Sequence, residues 1–506
     1  MNRREVTQAG VGALAAAAMA SASRGTARAA SSLPGASGLT DNDLKARVAA
    51  PWFQSAKLGI FIHWGLYSVP GWAPATRGSR GQFNQAEVDI RRLPYAEWYW
   101  NGLRLDGSET RKYHAQHFGE DFPYYGFQPM FERANAGWRA AEWADLFREA
   151  GARYAVLTSK HHEGYRLWPS ATPNDRVAGH DPTSKRDLVG DYVTAVRAAG
   201  LKAGLYYSGG FDWTFEHRAF DPKSPEMAEA FKKMAADMKA GKPPVVPLLL
   251  ESPEYADYAD RHLLELIDRY KPDILWNDIG YPSQSRIREI LAYYAKAVPA
   301  GVINDRFSLP FADVKTPEYR VLTDIDAHKW ETCRGVGTSF GFNRAEGEAE
   351  MLADFELIPS FVDIVSKNGN LLLDVGPCAD GSIRANQRSR LMALGAWLKA
   401  NGAGIYDTVP WKRASDVSAE GLDVRYTQSA DAVFAFLLDR RGEDRLTLPA
   451  FPLSADGKIV NMATGASPPW RTVAAGLEIS LGDDDGRRVP GFRILGAERA
   501  NRSIPA

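Results

Sequence analysis

Residues 187–207 read DLVGDYVTAVRAAGLKAGLYY. Apolar residues at helical spacing follow Asp187, Gly200 ends the run, and Leu201 to Tyr207 is a short apolar stretch of strand length. A helical period that gives way to a buried run is half of a βαβ unit. The same unit recurs along the chain. Trp143 to Ala150 predicts a helix that stops at Gly151, with a strand over Tyr154–Thr158. Tyr255 to Tyr270 predicts a helix broken by Pro272, and Asp273–Trp276 the next strand. Ser285–Ala297 leads into Val302–Asn304, and Ala349–Ser366 leads through Gly369 into Leu371–Asp374. Lys57 to His63 supplies the first strand. Roughly eight strand candidates fit between Leu58 and Asp374, which predicts an α/β fold closed as a (β/α)8-like, TIM-type barrel. A doubly wound open sheet is the alternative. It lacks a Gly-rich dinucleotide loop, because Gly65 and Gly71 after the first strand have the wrong spacing.

Outward from this repeat, the chain divides. After about Gly404 the pattern changes to short alternating runs such as Leu422–Tyr426 and Val433–Leu437, separated by turn clusters such as Asp483–Gly486. These predict a C-terminal antiparallel β-sandwich over residues 405–506, behind a catalytic barrel over 31–404. Asp221 to Leu250 interrupts the rhythm and reads as a loop insertion containing a Lys/Met/Ala-rich helix. Residues 1–30 read as an export signal of the twin-arginine type. Arg3 and Arg4 precede an uncharged Ala-rich run, and Ala27-Arg28-Ala29 offers a small-x-small cleavage site. The expectation is an exported protein, periplasmic or secreted. No stretch is long enough to span a bilayer.

The composition narrows the function. Of 506 residues, 45% are hydrophobic and 24% charged, which excludes a disordered chain, a collagen-like fibre and a disulfide scaffold. Lys and Arg number 61 against 62 Asp and Glu, so no basic excess points to nucleic acid. Cys333 and Cys378 are the only cysteines and are expected as buried free thiols. Oligomeric state, including a homo-oligomer, stays open.

In a barrel, chemistry collects where strands end. The strand-end residues are His63, Lys160-His161-His162-Glu163, Tyr206-Tyr207, Asn277-Asp278, Asn304-Asp305-Arg306 and Asp374. Such a set, rich in neutral donors, suits a polyol. Two chemistries can use it. A metal-dependent hydrolase would recruit His63, His161 and His162. A glycosidase would use two carboxylates and give the histidines to hydroxyl groups. Adjacent histidines on an extended chain point to opposite sides, which makes the doublet an awkward metal clamp.

Seven ordered motifs then resemble glycoside hydrolase family 29, the α-L-fucosidases, and are closest to the bacterial broad-specificity branch. They are Lys57–Gly65 with Tyr67–Pro70, Lys160–Gly164, Leu205–Gly210, Leu275–Asp278, Asn304–Arg306, Thr316–Tyr319 and Ser366–Leu373. The resemblance implies an exo-acting, retaining hydrolase of terminal α-L-fucosyl residues that needs no cofactor or metal. Its partner would be a fucosylated oligosaccharide or glycoconjugate. By resemblance Asp278 is the nucleophile and Glu318 the general acid/base, with Glu97 as the alternative. His63, His161 and His162 would hold sugar hydroxyls. Tyr206 would sit beside the nucleophile and Arg306 toward the acid/base. Tyr95 and Trp98 would contact the sugar, and Phe340 would pack on its C5 methyl. Glu163 stands where many members have Asp; if that carboxylate supports a neighbouring histidine, its longer arm shifts the ring slightly and bears on substrate range. A non-catalytic fucose-binding protein is the remaining alternative.

Overall fold

The structure is a computed structural model. It describes residues 40–75, 89–179, 181–240, 247, 249–309, 312–482 and 489–501. The expected export signal lies outside the described residues.

Seven parallel strands form one curled sheet: β1 (Leu58–Ile62), β2 (Tyr154–Lys160), β3 (Lys202–Ser208), β4 (Ile274–Asp278), β5 (Val302–Ile303), β6 (Trp330–Gly335) and β7 (Gly369–Val375). Their order is β5-β4-β3-β2-β1-β7-β6. Every residue of β1, β2, β4 and β7 is buried. That is the continuous burial of strands covered on both faces, and it explains their unalternating apolar sequences.

The sheet has seven strands where about eight were expected. Between edge strands β5 and β6 runs a segment that bridges both without becoming a strand. Asn304 bridges Val314, Lys315 bridges Trp330, and Glu318 bridges Cys333. The physical reasons are local. Pro317 has no N–H to give a ladder, and Tyr319 has φ 51°, outside strand geometry. This irregular stretch is what brings Glu318 to the wall.

Helix ends follow their capping residues. The helix Pro253–Tyr270 starts where the Ser252 hydroxyl accepts the Tyr255 N–H at 3.1 Å, and it ends at left-handed Lys271 before Pro272. The helix Leu188–Ala198 starts at Asp187, whose side chain accepts the Gly190 N–H. Gly59 matters for a different reason. A Cβ there would run into the Tyr154 ring. Gly59→Ala is therefore expected to cost about 1–3 kcal/mol through overpacking, read as a lower unfolding temperature. An unchanged melting temperature would show that the ring can move aside.

The insertion contains the helix Pro225–Lys239. Its Met227, Phe231 and Met234 join an apolar cluster with Trp98, Ile279 and Phe340. Arg91 pairs with Asp221 and Lys223 with Asp89, tying this insertion to the segment after β1.

Beyond the helix Ala385–Asn401 lie two antiparallel sheets. One contains β8 (Val409–Val417), β9 (Asp423–Gln428), β10 (Val433–Leu437), β12 (Leu453–Asn461) and β15 (Gly491–Ala497). The other contains β11 (Arg445–Pro449), β13 (Trp470–Val473) and β14 (Gly476–Ser480). Val424, Val433 and Phe492 of the first share one core with Leu446, Leu448 and Ile479 of the second. Among the described residues no helix is long and apolar enough to cross a membrane. Cys333 is buried and Cys378 only half-buried, and both are free thiols.

Candidate active site

A single pocket gathers the sequence candidates. His63 follows β1, and His161 and His162 follow β2. Tyr206 lies in β3, Asp278 ends β4, and Arg306 lies beyond β5. Glu318 comes from the bridging segment, Phe340 from the loop after β6, and Tyr95, Glu97 and Trp98 from the loop after β1. The pocket encloses about 580 Å3 of empty space, part of it open to solvent.

Asp278 is held through both of its oxygens. Its Oδ1 accepts the Arg306 Nη1–H at 2.7 Å and the Ile279 N–H at 3.0 Å. Its Oδ2 accepts the Tyr206 hydroxyl at 2.9 Å, and His162 Nε2 lies 3.9 Å away. Burial pushes the Asp278 carboxyl up, but the charge of Arg306 and the hydrogen bonds from Arg306 and Tyr206 outweigh it, so its pKa is lowered. The ionised form is thus favoured in the fold. The stability this pairing supplies is present above the unfolded-state pKa and is lost as pH falls through the folded-state value. The same shift sets an expected result. If Asp278 must be ionised to act, the acidic limb of kcat/KM falls below the ordinary aspartate range. A limb at pH 5 or above in an initial-rate pH profile would assign it to another group.

Arg306 also faces the second carboxylate, with Nη2 3.5 Å from Glu318 Oε2. One buried guanidinium therefore stands between Asp278 and Glu318. The guanidinium lies over the Trp276 indole, 4.6 Å from its centre, and its Nη2 donates to the Thr316 carbonyl at 3.0 Å. Glu97 is placed differently. Its Oε2 accepts the Gly341 N–H at 2.8 Å and the Ser339 hydroxyl at 3.2 Å, so it anchors the loop that carries Phe340. Burial raises the Glu97 pKa to about 7 against these hydrogen bonds, with Glu318 adding to the rise.

The three imidazoles are neutral. Burial lowers His63 to about 3 and His162 to about 4, in each case against the pull of Asp278. Burial also holds His161 well below its ordinary value, aided by the neighbouring imidazoles. His63 Nδ1 lies 2.6 Å from Asp374 Oδ1, and burial raises the Asp374 carboxyl well above its usual range, leaving a pair without net charge. His162 Nδ1 pairs with the Ser208 hydroxyl at 2.6 Å. Two of the three rings thus spend a nitrogen on protein partners. Among the described residues no group of three His, Cys, Asp or Glu side chains is arranged to hold a metal ion.

Both members of the histidine doublet reach the pocket because the chain stops being extended after Lys160. The Gly164 N–H closes a turn onto the His161 carbonyl, and the two rings lie 4.0 Å apart. Glu163 is turned to a loop rather than to a histidine. Its carboxylate instead accepts the Leu66 N–H and the Tyr124 hydroxyl, fixing the loop after β1. The other strand-end polar residues serve the fold. Lys160 makes a fully buried ion pair with Asp212. The Asn277 N–H donates to the Asn304 side chain, whose amide donates back to the Asn277 carbonyl. Asp305 accepts from Thr316.

Phe61, Trp276, Ile279 and Cys333 also line the pocket and were not among the sequence candidates. A period-two reading finds two of them, because Phe61 and Trp276 stand two residues before His63 and Asp278 on the same strand faces.

The model of the α-L-fucosidase family matches residues 27–403. The chain belongs to the α-L-fucosidase family. It is accordingly a glycoside hydrolase. An α-L-fucosidase of Dictyostelium discoideum is 32% identical over 461 residues, covering 88% of each chain. The tissue α-L-fucosidase of Bos taurus is 32% identical over 415 residues, covering 78% of this chain and 76% of its own. The crystal structure of the Thermotoga maritima α-fucosidase in complex with fucose superposes with a TM-score of 0.76 at 37% identity. It covers 90% of this chain and 99% of that one.

Proposed function

We propose that this α-L-fucosidase is a retaining, exo-acting enzyme that needs no metal, with Asp278 as nucleophile and Glu318 as general acid/base. The observation that carries the reading is the Arg306 guanidinium between an ionised Asp278 and Glu318. In the first step an Asp278 oxygen attacks the anomeric carbon. The bond to the leaving oxygen breaks, and Glu318 gives that oxygen its proton. In the second, Glu318 takes a proton from water, the water oxygen attacks the same carbon, and the bond to Asp278 breaks. Oδ1 accepts two hydrogen bonds and Oδ2 one, which leaves Oδ2 the freer atom for attack. Glu97 is the second reading for the acid/base, favoured by its raised pKa and weighed against by its commitment to the Ser339–Gly341 loop.

Neutral imidazoles suit a polyol, since they offer donors and acceptors without a competing cation. Among the described residues the buried His161 Nδ1 has no hydrogen-bond partner. Phe340 packs 5.0 Å from His63 and 5.6 Å from Tyr95, an apolar wall for the C5 methyl. Tyr95 and Trp98 complete the sugar contact. The fucose-bound T. maritima relative supports this ligand. The catalytic unit is residues 31–404, with the β-domain following from 405. The substrate is a terminal fucose on an oligosaccharide or glycoconjugate, with aryl fucosides accepted as in the broad-specificity branch. The insertion covers the leaving-group side, and the N-terminal segment directs export to the periplasm or beyond.

Release of p-nitrophenol from its α-L-fucoside, beside the β-D-galactoside and with and without EDTA, tests this reading. Turnover of the fucoside alone, untouched by EDTA, is expected. Stoichiometric zinc and loss of activity with chelator would return the site to the metal-hydrolase alternative. Fucose binding without turnover of any fucoside, fucosylated oligosaccharides included, would leave a binding protein.

A further inference from the structure

We propose that Glu331, a buried carboxyl on β6 beneath the pocket, is a positioning residue for the nucleophile that acts through the indole of Trp276. The proposal rests on the assignment of Asp278 as nucleophile. Glu331 is 2% exposed and lies among side chains that fill the inside of the curled sheet. Apolar residues such as Val156 and Leu372 occupy neighbouring interior positions. A carboxyl in their company is costly unless donors converge on it. Two do. The Trp276 Nε1–H donates to Oε1 at 3.1 Å, and the Tyr154 hydroxyl donates to Oε2. Tyr154 has its place because residue 59 is glycine.

The indole held in this way carries the two side chains that hold Asp278. The Tyr206 ring stacks on Trp276 at 5.5 Å and 22°, and the Arg306 guanidinium lies 4.6 Å from the indole centre on the pocket side. Tyr206 donates to one oxygen of Asp278 and Arg306 to the other. A chain of contacts therefore runs from Gly59 through Tyr154, Glu331 and Trp276 to both donors. If the indole loses its anchor, the two donors lose their common floor, and the nucleophile loses its orientation while the sugar contacts made by the histidines and Phe340 stay in place.

Four variants assayed on p-nitrophenyl α-L-fucoside test this, with rates normalised to the folded fraction from near-UV circular dichroism. Glu331→Leu should lower kcat about 30-fold or more with KM within about threefold, the mark of an interaction realised in the transition state. Glu331→Gln should keep most of kcat, because its amide oxygen still accepts from the indole and its amide N–H can face the Tyr154 oxygen. Combining Glu331→Leu with Trp276→Phe should be no worse than Trp276→Phe alone. Tyr154→Phe, which removes one of the two anchors, should lower kcat in the same sense and stands in if Glu331→Leu does not fold. Wild-type kcat in Glu331→Leu or in Tyr154→Phe, equal damage in Glu331→Gln, or additive losses with Trp276→Phe would overturn the role. An inactive wild type would instead remove the fucosidase reading itself.

Discussion

Asp278→Asn is expected to lower kcat on aryl α-L-fucosides by about 10^4-fold, or ~5 kcal/mol of transition-state stabilisation. The substitution replaces one carboxylate oxygen by an amide NH2 and changes little in shape. Its oxygen can still accept from Arg306 or Tyr206, so the pocket keeps its outline and L-fucose should still bind. What is lost is the negative charge that attacks the anomeric carbon, and with it the covalent intermediate. The charge of Arg306, buried and 2.7 Å from Asp278, then keeps Glu318 at 3.5 Å as its ion-pair partner. Removing one partner of a buried ion pair is destabilising, so a lower melting temperature accompanies the rate loss. Added azide separates the two effects in the smaller variant Asp278→Gly. Azide entering from the nucleophile's side displaces the leaving group and gives β-fucosyl azide. Near-wild-type turnover in Asp278→Asn would remove Asp278 from the mechanism.

Glu318→Ala should divide substrates by their leaving groups. A disaccharide leaves as an alkoxide unless protonated, so its hydrolysis should fall by about 10^2–10^4, the usual range for a lost general acid. An activated aryl fucoside needs no proton to leave. It should form the fucosyl-enzyme at a rate near normal and then stall, because no base activates water. Azide needs no such base. It should restore turnover from the space the carboxyl occupied, and because it attacks from the leaving-group side the product is α-fucosyl azide. Equal losses on both substrate types with no azide effect would transfer the acid/base role to Glu97, whose variant should then show this pattern.

The repeat of helix, Gly or Pro, and buried strand made most of the parallel sheet legible before any coordinates. Val433–Leu437 was legible to the residue, and β1 nearly so. β6 was not. Three of its six residues, Glu331, Thr332 and Arg334, are polar, and the apolar-run criterion passes over a strand whose interior face carries a carboxyl. The segment around Glu318 is harder still, since its place between β5 and β6 depends on bridges made by Asn304, Trp330 and Cys333. Spacing along the chain carries no trace of those long-range partners. The site residues came from motifs, and all ten sequence candidates and Glu97 fall in one pocket. Their supports were invisible for a simple reason. That Glu163 holds a loop, and that Glu97 holds the Phe340 loop, is set by which N–H groups the fold brings within reach.

The central claim is a covalent fucosyl bond to Asp278. Incubation with a 2-fluoro-fucosyl fluoride, which slows the second step more than the first, followed by peptide mass mapping, tests it most directly. The account predicts one added 2-fluorofucosyl group per chain, on the peptide that contains Asp278 and on its side chain. An adduct on another carboxylate, or no adduct together with β-L-fucose as the first product of hydrolysis, would contradict it.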